Sequence, residues 1–206
     1  MLLGLLFSNP VAFVIIAVGI LVAITIHEFA HAWVADKLGD PTPRYQDRVT
    51  LDPRAHLDPL GTLAIFVAGF GWGKPVPFDP YNLDNPKRDT ALIALAGPAS
   101  NIIFAVTLAV LIHTGILGFL TLPATIIIQI NVMLAIFNLI PVHPLDGSKI
   151  AMAFLPSDTA YEYENFMNRY GIFVLLLLIV PWNGGSSPVS QLIIPVIDFV
   201  MSLLGV

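Results

Sequence analysis

From Val11 to Ile26 the chain carries no ionisable side chain, and it then runs straight into His27-Glu28-Phe29-Ala30-His31. So apolar a segment satisfies its backbone in lipid only as a helix or within a closed barrel. In a helix, residues four apart share a face, so His27 and His31 stand one turn apart and both imidazoles can reach one ion. Glu28 lies about 100° round the helix beside them. An ionised group near a bilayer centre costs about 2.5–3.5 kcal/mol even on a lenient insertion scale, so such a cluster marks a functional site.

The pattern reads HExxH. In soluble metalloproteases its two histidines bind zinc and its glutamate serves as general base toward water. Composition supplies the context. Of 206 residues 56% are hydrophobic and only 11% charged, and the mean hydropathy is +0.83, as in an integral membrane protein. No polar stretch is long enough for a second globular unit, so residues 1–206 are expected to form a single domain. The start, Met-Leu-Leu-Gly-Leu-Leu, lacks the basic flank of a cleaved signal. Without cysteine there are no disulfides and no thiolate ligands. A net charge of −5 with few basic clusters argues against nucleic acid.

The first span is expected over about Val11–Ala35, starting at Asn9-Pro10. Residues 36–58, with Pro41, Pro43 and Pro53, read as a surface loop. The apolar run Leu60–Phe70 is too short to cross as a helix rising about 1.5 Å per residue. It leads into Gly69-Phe70-Gly71-Trp72-Gly73-Lys74-Pro75-Val76-Pro77, whose alternate glycines suit an extended strand that another chain can approach. Seven of the nine Lys and Arg residues lie between 37 and 88. A dip into the membrane and back keeps all seven cytoplasmic, in line with the positive-inside bias.

A second span is expected over about Thr90–Leu117, with Ala96-Gly97-Pro98-Ala99-Ser100-Asn101 permitting close helix packing. Residues 124–155 are too many for one span and break at Pro141 and Pro144, opening backbone at depth. Residues 156–170 read as a polar connection, and two further apolar runs reach Val206. The expected fold is an all-α polytopic membrane protein, a bundle of about five transmembrane helices with a re-entrant β-like loop after the first span.

A hydrolytic zinc takes three protein ligands and one open position. Candidates for the third are His56, His113, His143, Asp146 and Asp198. If residues 37–88 are cytoplasmic, His27 lies about 24 Å beyond Val11, towards the cytoplasmic side. The break at 141–147 arrives at similar depth, which favours His143 and Asp146 over His113. A buried acid needs a cation more than a neutral histidine does, which favours Asp146 of the two.

His27-Glu28-Phe29-Ala30-His31, Ala96 to Asn101, and Asn138-Leu139-Ile140-Pro141-Val142-His143-Pro144-Leu145-Asp146-Gly147 together resemble the site-2 protease family of intramembrane zinc metalloproteases. The resemblance implies one Zn2+ per chain, Asp146 as third ligand, Glu28 as the catalytic glutamate, and Asn138 near the metal, placed to hydrogen-bond substrate backbone or a developing oxyanion. It implies a membrane re-entrant strand loop, with Gly69, Gly71 and Gly73 as substrate-binding positions. The expected partners are a transmembrane protein substrate and the lipid bilayer. The expected location is the cell membrane, with the N-terminus outside and the active site towards the cytoplasm. Many members carry PDZ or CBS domains; a compact member without them is expected here. The alternatives are a divalent-metal transporter, since intramembrane His, Glu and Asp also mark ion paths, and a protein that binds membrane helices without cutting them.

Overall fold

The computed structural model describes residues 2–68, 71–182 and 185–206. Its described residues are mostly helical, and their only bridges are Leu57 with Gly73 and Trp182 with Ser186. Helix α1 (Leu2–Ser8) precedes α2 (Pro10–Lys37). The start of α2 follows the sequence signal: Pro10 takes the first turn, where a missing N–H costs nothing, and the Asn9 side chain accepts from Ala12 N. The loop after it holds two single-turn helices, α3 (Thr42–Tyr45) and α4 (Pro53–His56), and α5 (Pro59–Ala68) covers the short apolar run. Then come α6 (Pro86–His113), α7 (Thr121–Asn138), α8 (Asp146–Phe154), α9 (Ser157–Ile179) and α10 (Pro188–Leu204).

Among the described residues, three stretches are long and apolar enough to cross a bilayer: Pro10–Lys37, Pro86–His113 and Gly118–Asn138. The protein is a multi-pass membrane protein. Helix α6 is the centre of the bundle, packing against α2, α7 and α8, while α10 packs on α7. Ala105, Ala109, Ile128, Val132 and Ile197 form a buried cluster where α6, α7 and α10 meet. Small residues on α6 let the backbones come close, which drives helix association in lipid.

Residues 157–170, expected as a connection, are the first turns of α9. They contain neither proline nor glycine. Their polarity marks a face in water and says nothing against helix.

Two loops are stitched together on one side of the bundle. Asp40, fully buried, accepts from Thr42 N and Oγ1, from Asp79 N and from Asn82 Nδ2. Burial opposes ionisation of Asp40, but these four donors hold its carboxyl below the ordinary value. The segment that follows α2 is thereby fixed to the segment that precedes α6. The two segments therefore lie side by side.

The break between α7 and α8 falls at Pro141 and Pro144, as the sequence indicates. Gly147 packs there against backbone, since a Cβ at this position would lie 2.3 Å from the Leu139 oxygen and 2.4 Å from the Ile140 oxygen. Carbonyls fixed in a turn cannot yield as a side chain can. Gly147→Ala is therefore expected to destabilise the protein by about 1–3 kcal/mol, read as a lower Tm in detergent; a variant as stable as the wild type would contradict this packing.

Candidate metal centre

His27 and His31 lie on the buried face of α2, and Asp146 is the first residue of α8. Their ligand atoms all lie within 4.8 Å of one another. The Asp146 Oδ2 is 3.0 Å from His27 Nε2 and 3.1 Å from His31 Nε2. The two rings meet edge to face, with centroids 4.6 Å apart.

Which ring nitrogen faces Asp146 as a lone pair follows from the groups behind the rings. Asn101 donates through Nδ2 to Ala23 O at 3.0 Å and to Asn131 Oδ1 at 2.8 Å. Its amide hydrogens are thus used, and its Oδ1, 2.7 Å from His27 Nδ1, is the acceptor. His27 Nδ1 therefore carries the hydrogen. His31 Nδ1 donates to the Ile93 carbonyl of α6 at 2.7 Å. With both Nδ1–H groups donated, each Nε2 presents a lone pair. Two lone pairs and a carboxylate oxygen converge, a donor set suited to a divalent cation. Gly97 lies in front of both rings: a Cβ there would sit 2.4 Å from His31 Nε2 and 2.6 Å from His27 Nε2. Only glycine leaves that space clear.

The comparisons with known proteins agree with this geometry. Residues 115–178 match the profile of peptidase family M50. The chain is 39% identical over 175 residues to a Bacillus subtilis protein named "Putative zinc metalloprotease YwhC", covering 80% of each. The chain belongs to the site-2 protease family. It is also 29% identical over 182 residues to "Putative zinc metalloprotease Rip2" of Mycobacterium tuberculosis, covering 84% of this chain and 70% of that one. The fold resembles that of the site-2 protease from Methanocaldococcus jannaschii, with a TM-score of 0.54 and 22% identity over 98% of this chain and 80% of the other.

In this site-2 protease relative the remaining candidates fall elsewhere. His113 Nε2 donates to Leu204 O at 2.8 Å, at the far end of α6. His143 packs its backbone against Gly171 of α9. Asp198 is exposed on α10, and His56 is buried under the loop that precedes α5. Asn138 ends α7, and its Nδ2 donates to Leu134 O at 3.0 Å, back onto its own helix.

Gly69 lies outside the described residues. The bare face of Gly71 is taken up within the chain, a Cβ there lying 2.0 Å from Gly61 O. At Gly73 a Cβ would meet Ile24 Cγ2 at 3.0 Å, His56 O at 3.2 Å and Glu28 Oε1 at 3.5 Å. The glycine faces thus serve close approach of the chain to itself, and the segment lies beside the Glu28 carboxylate. The sequence reading missed Asn131 and the Ile93 carbonyl. The first carried a usable signal, a lone polar side chain in an apolar helix; the second is backbone and carried none.

Two predictions follow from the support behind the rings. Gly97→Ala is expected to lose bound zinc in metal analysis of the purified protein, and full zinc content would contradict the placement of Gly97. Asn101→Leu frees His27 to rotate and is expected to weaken zinc binding about 10–100-fold, measured by competition with a chelator; unchanged affinity would rule out its orienting role.

Proposed function

We propose that His27, His31 and Asp146 hold one zinc ion per chain and that Glu28 is the general base of peptide-bond hydrolysis within transmembrane segments. The protein is an intramembrane zinc metalloprotease by family membership. The observation that carries the residue assignment is the convergence of two Nε2 lone pairs and the Asp146 carboxylate, with each Nδ1–H held from behind. Bound there, zinc supplies a Lewis acid that acidifies water to near neutral pH and polarises a peptide carbonyl.

The chain's own groups do the rest. Asn101 and the Ile93 carbonyl fix the ring orientations. Glu28, next to His27 on α2, takes the proton of the attacking water and returns it to the leaving amine. Asn138, at the end of α7, is assigned to substrate backbone or the developing oxyanion, which requires its amide to leave the Leu134 carbonyl.

A transmembrane substrate is a helix with its amides bonded internally, so it must unwind before it is cut. The segment 71–77 is suited to receive the unwound strand. Lys74 N donates to His56 O at 2.7 Å, so Leu57 and Gly73 form the pair whose own N–H and C=O groups point outward from the bridge. Strand addition at that outer edge replaces hydrogen bonds the substrate gives up. The substrate is a membrane protein, and the reading places it against Gly73 rather than Gly71, whose face is filled by α5.

Residues 1–206 act as a single domain of about five spans, α9 and α10 completing the bundle. The protein is assigned to the cell membrane, with the N-terminus outside and the metal towards the cytoplasm. The basic residues between 37 and 88 and the stitching of the two loops through Asp40 support that orientation.

The test is cleavage of single-span membrane peptides by the purified protein, with Glu28→Gln beside it and zinc quantified in both. Wild type is expected to cut and the variant to lose at least 10²–10⁴-fold in rate at equal zinc content; equal cleavage by the two would remove Glu28 from the mechanism.

A further inference from the structure

We propose that Arg48 is a positioning residue that joins the extended segment 73–75 to the Glu28 carboxylate, so that the substrate-docking edge and the general base are set as one unit. The proposal rests on the assignment of Glu28 as general base. Arg48 is 3% exposed, on the loop between α3 and α4. Its Nη1 donates to Pro75 O at 2.8 Å and its Nη2 to Lys74 O, while the same Nη2 lies 4.0 Å from Glu28 Oε2. Among the described residues it is the only lysine or arginine paired with Glu28.

A buried guanidinium is costly unless charge and hydrogen bonds answer it. Here a carboxylate answers the charge and two consecutive carbonyls answer the fork. The fork is planar and rigid, so its acceptors are held in fixed relation to one another, which the point charge of lysine does not achieve. Both acceptors belong to the strand, and the general base is the counter-charge 4.0 Å from the same Nη2. The other oxygen of Glu28 faces Gly73 of that strand, so base and strand touch on both sides.

His56 supports the same segment. Its carbonyl accepts from Lys74 N, and its Nε2 donates to Thr50 O at 2.7 Å. Burial pushes its imidazole down against that hydrogen bond, and the Arg48 charge adds to the fall. Its Nδ1 is then a buried acceptor, and Arg48 Nε is a buried donor; neither has a hydrogen-bond partner among the described residues. Lys74 is thus held at its N–H by the His56 backbone and at its carbonyl by Arg48.

The experiment uses the full chain in detergent, with zinc content, cleavage kinetics of a single-span peptide and hydrogen exchange at the Lys74 amide. Arg48→Gln is expected to keep zinc, to lower kcat on the order of 10–100-fold through misplacement of the base, and to speed exchange at Lys74. Arg48→Lys is expected to recover less than half of the lost rate. Glu28→Gln, which removes no hydrogen bond from the strand, is expected to speed exchange at Lys74 severalfold because it leaves Arg48 without its counter-charge. Wild-type kcat in Arg48→Gln, or Lys74 exchange unchanged in Glu28→Gln, would overturn the proposal. The exchange arm needs no turnover. A wild type that binds zinc but never cleaves would count against the protease assignment while the Arg48 link is still decided, and Glu28→Gln decides it even if Arg48→Gln fails to fold.

Discussion

Two imidazole lone pairs and a carboxylate oxygen that face one another inside an apolar bundle repel unless a proton or a metal cation stands among them. Water cannot relieve the arrangement, and burying an unpaired charge is expensive. The helices bring His27, His31 and Asp146 together, and an ion held there would offset the cost of doing so. The protein's helix packing can be read as the means of making that convergence happen at one depth.

Helix α6 supplies most of the means, although it contributes no ligand. Over two turns it offers the Ile93 carbonyl to His31, an absent side chain at Gly97 and the Asn101 amide to His27. Asn101 passes the connection on to Asn131 of α7. Each of these groups is a polar or packing requirement that lipid cannot satisfy, so each holds its partner firmly. Across the bundle, the bare backbone of Gly147 lets α8 close on the end of α7, which brings Asp146 under the rings.

Much of this was legible in the residues. The helical spacing of His27 and His31, the start of α2 at Asn9-Pro10 and the break at Pro141 and Pro144 are local properties, and local properties survive folding. Other features depend on partners far away in sequence. Arg48 reads as one more basic residue of a surface loop until the fold sets it against carbonyls at 74 and 75 and against Glu28. The alternate glycines suggest an extended segment, but only the packed structure shows that the bare faces of Gly71 and Gly73 meet Gly61, Ile24 and His56 of the same chain. The first turns of α9 were hidden by their polarity, because a helix end in water and a loop in water look alike in composition.

The site thus couples two supports, a rigid one behind the metal ligands and a loop-borne one beside the base. The first is the more fundamental, since the proposed chemistry needs the ion before it needs the base. Zinc-edge X-ray absorption of the purified protein tests it most directly. The account predicts two imidazole nitrogens and oxygen ligands at about 2.0–2.2 Å, with one imidazole lost in His31→Ala. A zinc shell with one or three imidazoles, or one unchanged in that variant, would contradict it.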